Sequence, residues 1–367
     1  MTKEEKLEEG LEQPKTDSKK KWFARFMDHL TKTTGGMATG MFATLIIGVI
    51  IGQIGFLSGI QFIAGVGNVL KSLMGIGIGI GIALSLKNLS PIAIISAGVA
   101  GAVSTMVLGI DNGTYVLPFV NGTTSNGNPL MAYLVVVISI EIYRLVFKKQ
   151  TAVDLIIVPL FITAIAAALS FLFAVPLTWV VTILGQFIQT ATAYQPLLMG
   201  VVISSVMGMI LTAPISSVAI SVAINLGGIA GGAAVVGCCT QMIGFMMMSI
   251  RDNNVGKIVS IGIGTSMLQF KNILRKPLIW LPTIIVSALL GPFATTVFML
   301  RTTPAGAGMG TCALIGPIST ILEMTDNPLM AWLGVIILML IGPAVLVFLV
   351  DLLFRKLGWI KKGDLAI

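Results

Sequence analysis

One hundred consecutive residues, Thr151 to Ile250, carry a single charged side chain, Asp154. A soluble domain, in which roughly a quarter of residues are charged, cannot cover its surface with such a segment. Lipid can face it, because a spanning helix needs only about 20 mainly apolar residues. The bias runs through the whole sequence: of 367 residues 56% are hydrophobic and 10% charged, and the mean hydropathy is +0.98. The fold class this dictates is an all-α polytopic membrane protein.

Hydrophobic runs bounded by Pro, Gly or charge predict about ten transmembrane helices. The clearest cover 37–58, 91–109, 130–147, 153–174, 176–192, 197–213, 278–299 and 328–350. Two stretches are harder to divide. Residues 62–86 are Gly-rich and interrupted by Lys71. Residues 214–250 are long enough for two short helices, with Pro214, Gly227, Gly228, Gly231 and Gly232 placed to break a single span.

The ends are polar. The first 21 residues, MTKEEKLEEGLEQPKTDSKKK, lack the apolar stretch of a signal peptide and read as a disordered cytosolic tail. "WFARFMDHL" follows as an interfacial helix, so residues 1–34 are set apart from the membrane body. Lys and Arg cluster at 19–25, 144–149, 271–276 and 355–362, while 110–129 holds neither. The positive-inside rule then places both termini, including a short tail at 357–367, in the cytoplasm of a bacterial plasma membrane, with 110–129 outside. The net charge of +8 is a topological signal rather than affinity for nucleic acid. Cys238, Cys239 and Cys312 lie in apolar or Gly-rich surroundings and read as small packing residues. His29 is the sole histidine. No cofactor and no metal site is expected from such a set.

The chain writes one phrase twice. "NPLMAY" at 128–133 and "NPLMAW" at 327–332 stand 199 positions apart, each after a Gly-rich polar stretch and before a long apolar run. "GIGIALSLKN", ending at Asn88, is similar to "GIGTSMLQFKN", ending at Asn272, and Gly40 and Gly48 match Gly200 and Gly208 in spacing. Asn-Pro starts any helix well, so one match carries little. Matches in the same order predict two structural repeats, 35–150 and 197–356, joined by linking helices over 151–196. Both phrases then open spans that run from outside to inside.

Duplicated bundles suit secondary transport, where solute sits near the midplane between repeats and broken helices supply free backbone groups. Break points are frequent in "VLGIDNGTYVLPFVNGTTSNGNP" (107–129) and "RTTPAGAGMGTCALIGPISTILEMTDNP" (301–328). Both predict broken or re-entrant segments. Candidate solute ligands in them are Asp111 and Asn112 in the first, and Gly306, Gly308, Gly310, Thr311 and Glu323 in the second. The glycines would bring backbone N–H groups close to a ligand, or else serve helix packing. Asn225, Gln269 and Asn272 join the set as uncharged polar residues in apolar runs, with Ser216, Ser217, Ser221 and Gln241 of the same kind. Glu141 reads either as an i,i+3 partner of Arg144 or as a coupling carboxylate. Arg301 either meets an anion or snorkels, and Trp280 and Trp332 suit interfacial anchoring.

The stretch from Gly262 to Ile321, "GIGTSMLQFKNILRKPLIWLPTIIVSALLGPFATTVFMLRTTPAGAGMGTCALIGPISTI", resembles the signature region of a bacterial family. Its members are membrane (IIC-type) components of the sugar phosphotransferase system, and include proteins named for a regulator of the toxin perfringolysin. The similarity extends from about residue 35. It implies a plasma-membrane permease, homodimeric, through which a solute passes and is phosphorylated by separate phosphotransferase subunits. Sugar components of this type use a His and a Glu near the sugar; here only the Glu half can be met, by Glu323 or Glu141. Phosphorylation would need other proteins. Three readings follow. The first is a permease moving a small polar solute, sugar or sugar-like, by alternating access. The second is a transporter-derived membrane sensor or regulator without significant flux. The third is an intramembrane enzyme, for which no catalytic residues are assigned.

Overall fold

The computed structural model describes residues 15–86, 88–106, 109–111, 114–116, 128–148, 151, 153–192 and 195–367. It is helical apart from a small hairpin, β1 (Gly109–Asp111) against β2 (Thr114–Val116). Helix α1 (Lys15–Met41) runs through a π-turn (Phe42–Ile46) into α2 (Ile47–Ser58). Next come α3 (Gln61–Ser72), α4 (Met74–Ser85), α5 (Pro91–Met106) and α6 (Pro129–Val146). The long α7 (Asp154–Thr192) leads to α8 (Pro196–Thr212), α9 (Ser217–Ala223) and α10 (Gly228–Met248). The remainder holds α11 (Val255–Val259), α12 (Phe270–Arg275), α13 (Leu281–Thr296), α14 (Pro304–Ala307), α15 (Ile315–Glu323), α16 (Pro328–Gly334) and α17 (Gly342–Lys356).

Six helices among the described residues are long and apolar enough to cross a membrane, or seven if the bent pair α3–α4 counts as one span. That is fewer than the ten expected, for identifiable reasons. Residues 153–174 and 176–192 form one helix: Pro176 removes a single backbone bond and does not end α7. "WFARFMDHL" is no separate interfacial helix either, because Arg25–Ser58 is continuous over 34 residues. Nothing there forces a break. The hydroxyls of Thr31, Thr33 and Thr34 donate back to carbonyls one turn earlier, and Gly36 and Gly40 stay helical while packing on Gly81 and Gly77 of α4. Lys71 marks a bend of 49° between α3 and α4. Residues 214–250 resolve into the short α9 and the long α10.

Close glycine contacts set the neighbours. In the first half α4 lies between α1 and α5, with Gly40 on Gly77 and Gly79 on Ala97; a Cβ at Gly79 would come 2.0 Å from the Ala97 oxygen. In the second half α8 crosses α13 at Gly200 and Gly291, and the carbonyl of Ser287 accepts from Ser204 Oγ at 2.7 Å. Helix α10 is the centre of this half, packed on α8, α13 and α17 and largely buried. One apolar core joins the halves, bringing Ile46 and Val49 together with Met207, Cys238 and Cys312.

The two ends of the bundle differ in charge. Arg25, Lys32, Arg144 and Lys148 gather at one end, and the stem of Lys271 packs on Gly35 there. The 357–367 tail is also docked at this basic end rather than hanging free. Ile360 and Leu365 are buried, and the Leu365 carbonyl accepts from Asn253 Nδ2 and Gln269 Nε2. Lys276 pairs with Asp364 at 2.6 Å. Partial burial works to raise the Asp364 pKa, but the hydrogen bond from Lys276 and the Lys361 N–H outweigh it and hold the carboxyl below 3.8. A depressed carboxyl adds stability above its unfolded pKa and loses it as pH falls through the folded value. Protection of the 357–367 amides, as exchange relative to an unstructured peptide at the same pH, should therefore hold from pH 7 down to about 4 and fall below that. Lys276→Met should lower it already at pH 7.

Candidate functional site

Three helical hairpins of the second half turn back inside the bundle. The first enters at the end opposite the basic one, where Thr295 Oγ1 holds the Pro196 carbonyl at 2.7 Å. It descends along α8, breaks at Ala213–Ser216 and returns through α9 to Gly228, whose N–H donates to the Thr302 carbonyl. The second rises from the basic end through α11 and a π-turn (Ser260–Gly264), ends at the extended Thr265, and descends through α12. The third enters opposite it, where Arg301 pairs with Asp326, turns at Gly308–Cys312 and leaves along α15. Gly310 takes φ +54 in this turn and packs against Cys238, midway along α10.

The tips meet one another. Thr311 Oγ1 donates to the Gly262 carbonyl at 2.6 Å, joining the third hairpin to the second. Ser217 Oγ donates to the Gly308 carbonyl at 2.7 Å, joining it to the first. Thr212 and Ser266 hydroxyls stand 2.9 Å apart, joining the first to the second. Behind them Gln241 Oε1 accepts from Trp280 Nε1 at 3.0 Å, Thr283 Oγ1 at 2.9 Å and Thr212 Oγ1 at 3.3 Å. Trp280 thus serves a buried hub on α10. A backbone that leaves its helix inside hydrocarbon must find such partners, since each unsatisfied group there costs several kcal/mol.

A cavity of about 390 Å³ lies where these tips face the first half. From the second half it is lined by Ile215, Ser216, Ser217, Gly264, Thr265, Gly308 and Cys312. The first half contributes its own interruptions: Leu45 and Ile46 in the π-turn, Met74 at the α3–α4 bend, and Pro129 at the start of α6. Met41, Met267 and Met309 complete much of the apolar wall. No carboxylate, amine, guanidinium or imidazole lines it among the described residues. Its polar surface is hydroxyl and backbone.

The expected site residues divide. Gly308 lines the cavity, and Gly310 and Thr311 hold its floor in place. Gly306 packs higher in the third hairpin, against Thr302 and Ser319. Glu323 is exposed at the hairpin's outer root, at the end of α15 and before Asp326, which pairs with Arg301, and not at the tip. Asn225 is also exposed, at φ 51 in the turn between α9 and α10, a left-handed position that Asn tolerates. Gln269 and Asn272 are buried elsewhere: Asn272 Nδ2 donates to Gln269 Oε1 and to the Ala366 carbonyl, so both amides are used in docking the tail. Asn112 lies outside the described residues, and Asp111 enters only as the last residue of β1. Glu141 pairs with Arg144 at 3.1 Å and stands 3.7 Å from His29, far from the cavity. Thr265, Thr212 and Ser266 were not singled out from sequence. The available signal was a Thr-Ser pair directly after alternating glycines, a place where an apolar helix must stop.

A family model described as "Phosphotransferase system, EIIC" matches residues 31–367. The chain belongs to this family. No curated protein and no solved structure matches it. Membership makes the chain a multi-pass membrane permease component of a phosphotransferase system, acting with other components of that system.

The Thr311–Gly262 bond holds the tips together beside Cys312, which lines the cavity and is buried and free. One such bond is worth about 1 kcal/mol net. Thr311→Val should raise the rate at which a small maleimide labels Cys312 by about five- to tenfold over the native chain, read by mass spectrometry.

Proposed function

We infer that the chain carries a neutral, hydroxyl-bearing solute, of sugar or sugar-like size, through the cavity between its two halves. The convergence of helix interruptions from both halves on one cavity supports this most strongly. Irregular backbone at membrane depth is tolerated only where protein buries it or where it lines a solvated cavity. Here it does the second with Ser216, Ser217 and Thr265 as hydroxyl ligands. The methionine wall offers a soft, repackable surface to the apolar face of a sugar ring, in place of aromatic stacking. The absence of a charged group among the described lining residues argues for a neutral solute, and against a charged side chain as the coupling element at this site.

Alternating access follows from the hairpins. The second hairpin enters from the basic end and the third from the opposite end, so each is a gate to one side of the membrane. Opening either parts Thr311 from Gly262; opening the second also parts Ser266 from Thr212, and opening the third parts Gly308 from Ser217. With the basic end in the cytoplasm, as the positive-inside rule favours, the crossing helices are α1–α2, α3–α4, α5, α6, α7, α10, α13 and α17. That arrangement returns both termini to the cytoplasm. We propose the duplication in a narrower form: a Pro-started helix, a Gly-rich polar loop and an Asn-Pro-started helix, running in the same sense in α5–α6 and in α13–α17. Helices α1 and α8 do not match in direction, since α1 is antiparallel to α4 while α8 is parallel to α10. Phosphorylation of the solute falls to partner proteins at the cytoplasmic face.

Uptake into proteoliposomes tests this. Gly308→Val would place a side chain against the Val218 backbone, where even a Cβ comes within 2.7 Å, and Ser217→Ala removes the hydroxyl that bonds Gly308. Each should lower saturable uptake at least tenfold, while Glu323→Gln leaves it within about twofold, an order-of-magnitude expectation for removing a site contact as against a group at the mouth. Uptake that survives both cavity changes would refute the placement, and tight solute binding without flux would favour a sensor.

A further inference from the structure

A second concave site, about 710 Å³, opens at the basic end of the first half. One wall is α1, which presents Arg25, His29 and Lys32 on one face at i, i+4 and i+7. The opposite wall is the last turn of α6 and the residues after it, with Arg144 and Lys148. The floor is the α4–α5 turn, supplying Ser85, Asn88 and Ser90, and Tyr143 Oη stands 3.4 Å from Ser90 Oγ. Asn88 holds φ 65 at this turn.

Charge in the cleft does not balance. Asp28 pairs with Lys32, and Glu141 pairs with Arg144. Arg25 and Lys148 have no ion-pair partner among the described residues. Membrane topology asks for basic residues at a cytoplasmic end, but it does not ask for them to converge from two helices on one polar cleft with hydroxyl and amide donors at its base. Nor is this the central cavity under another name. From His29 to Met41, which lines that cavity, α1 rises about 18 Å.

We propose that this cleft binds a phosphate ester. A phosphate group offers oxygens on several sides, suited to guanidinium and ammonium donors approaching from facing walls. The neutral donors of the α4–α5 turn are placed to meet the alcohol part of the ester. Two sources supply the same chemistry at a cytoplasmic membrane surface: a free phosphorylated small molecule and the headgroup of an anionic phospholipid. The proposal does not rest on transport, because occupancy is read without flux.

Full-length protein in phosphatidylcholine nanodiscs, titrated calorimetrically with glycerol 3-phosphate and with inorganic phosphate, gives one arm. Native mass spectrometry after reconstitution with added phosphatidylglycerol gives the other. The combined Arg25→Gln and Lys148→Gln variant keeps every pair named above and should keep the native melting temperature. It should bind the free ester at least tenfold more weakly, or lose retained phosphatidylglycerol, while Lys362→Gln, outside the cleft, changes neither. Loss in the first arm assigns the site to a free ester; loss only in the second assigns it to lipid. If neither the native protein nor the variant shows saturable phosphate binding or lipid retention, or if the variant matches the native protein in both arms, the proposal is overturned.

Discussion

A peptide group released from its helix inside hydrocarbon has no water to turn to. The second half of this protein releases many, at Ala213–Ser216, at Gly264–Thr265 and at Gly308–Cys312, and the fold is arranged so that they serve one another. Three short hydroxyl contacts, Thr311 to Gly262, Ser217 to Gly308 and Thr212 to Ser266, tie the three tips together. Gln241 then ties the cluster to α10 and α13. The scaffold that holds the tips in register is built by helices in near backbone contact, through Gly40–Gly77, Gly79–Ala97 and Gly200–Gly291. Small residues do this in membranes because van der Waals packing, not the hydrophobic effect, holds helices together there.

Much of this architecture is legible in the sequence, and the rest is hidden for physical reasons. The membrane class follows from charge scarcity alone. The Gly-rich 301–328 element was readable as re-entrant from its length, its moderate hydrophobicity and its prolines, since glycines alone also sit in the unbroken α4 and α10. What hydropathy cannot show is whether an apolar run crosses, turns back or continues. Pro176 sits inside α7 without ending it, whereas Pro214 stands in the break that sends the chain back through α9; the residues alone look alike. The polar candidates divided for a similar reason. Gln269 and Asn272 look like ligands in an apolar run, but the tail that consumes their hydrogen bonds is 96 and 94 residues further on. Thr265 looks like an ordinary small residue, and only the fold brings it to one cavity with Ser216 and Ser217, which stand out in their apolar run.

The composition of that cavity narrows the chemistry. Family members that recognise sugar through a His and a Glu would need both near the solute. Here the sole histidine sits with Glu141 and Arg144 at the basic end, and Glu323 is exposed at the opposite mouth. On the proposed function, recognition would fall to hydroxyls, backbone and thioethers, a surface that distinguishes solutes mainly by shape and hydrogen-bond count.

The most direct measurement of the central claim is aqueous accessibility of the converging tips. In a background with Cys238, Cys239 and Cys312 replaced and uptake retained, Thr265→Cys and Met309→Cys are labelled with a membrane-impermeant thiosulfonate in proteoliposomes. The account predicts that both positions react and that a transported solute protects both. Unreactive cysteines, or labelling that solute leaves unchanged, would contradict it.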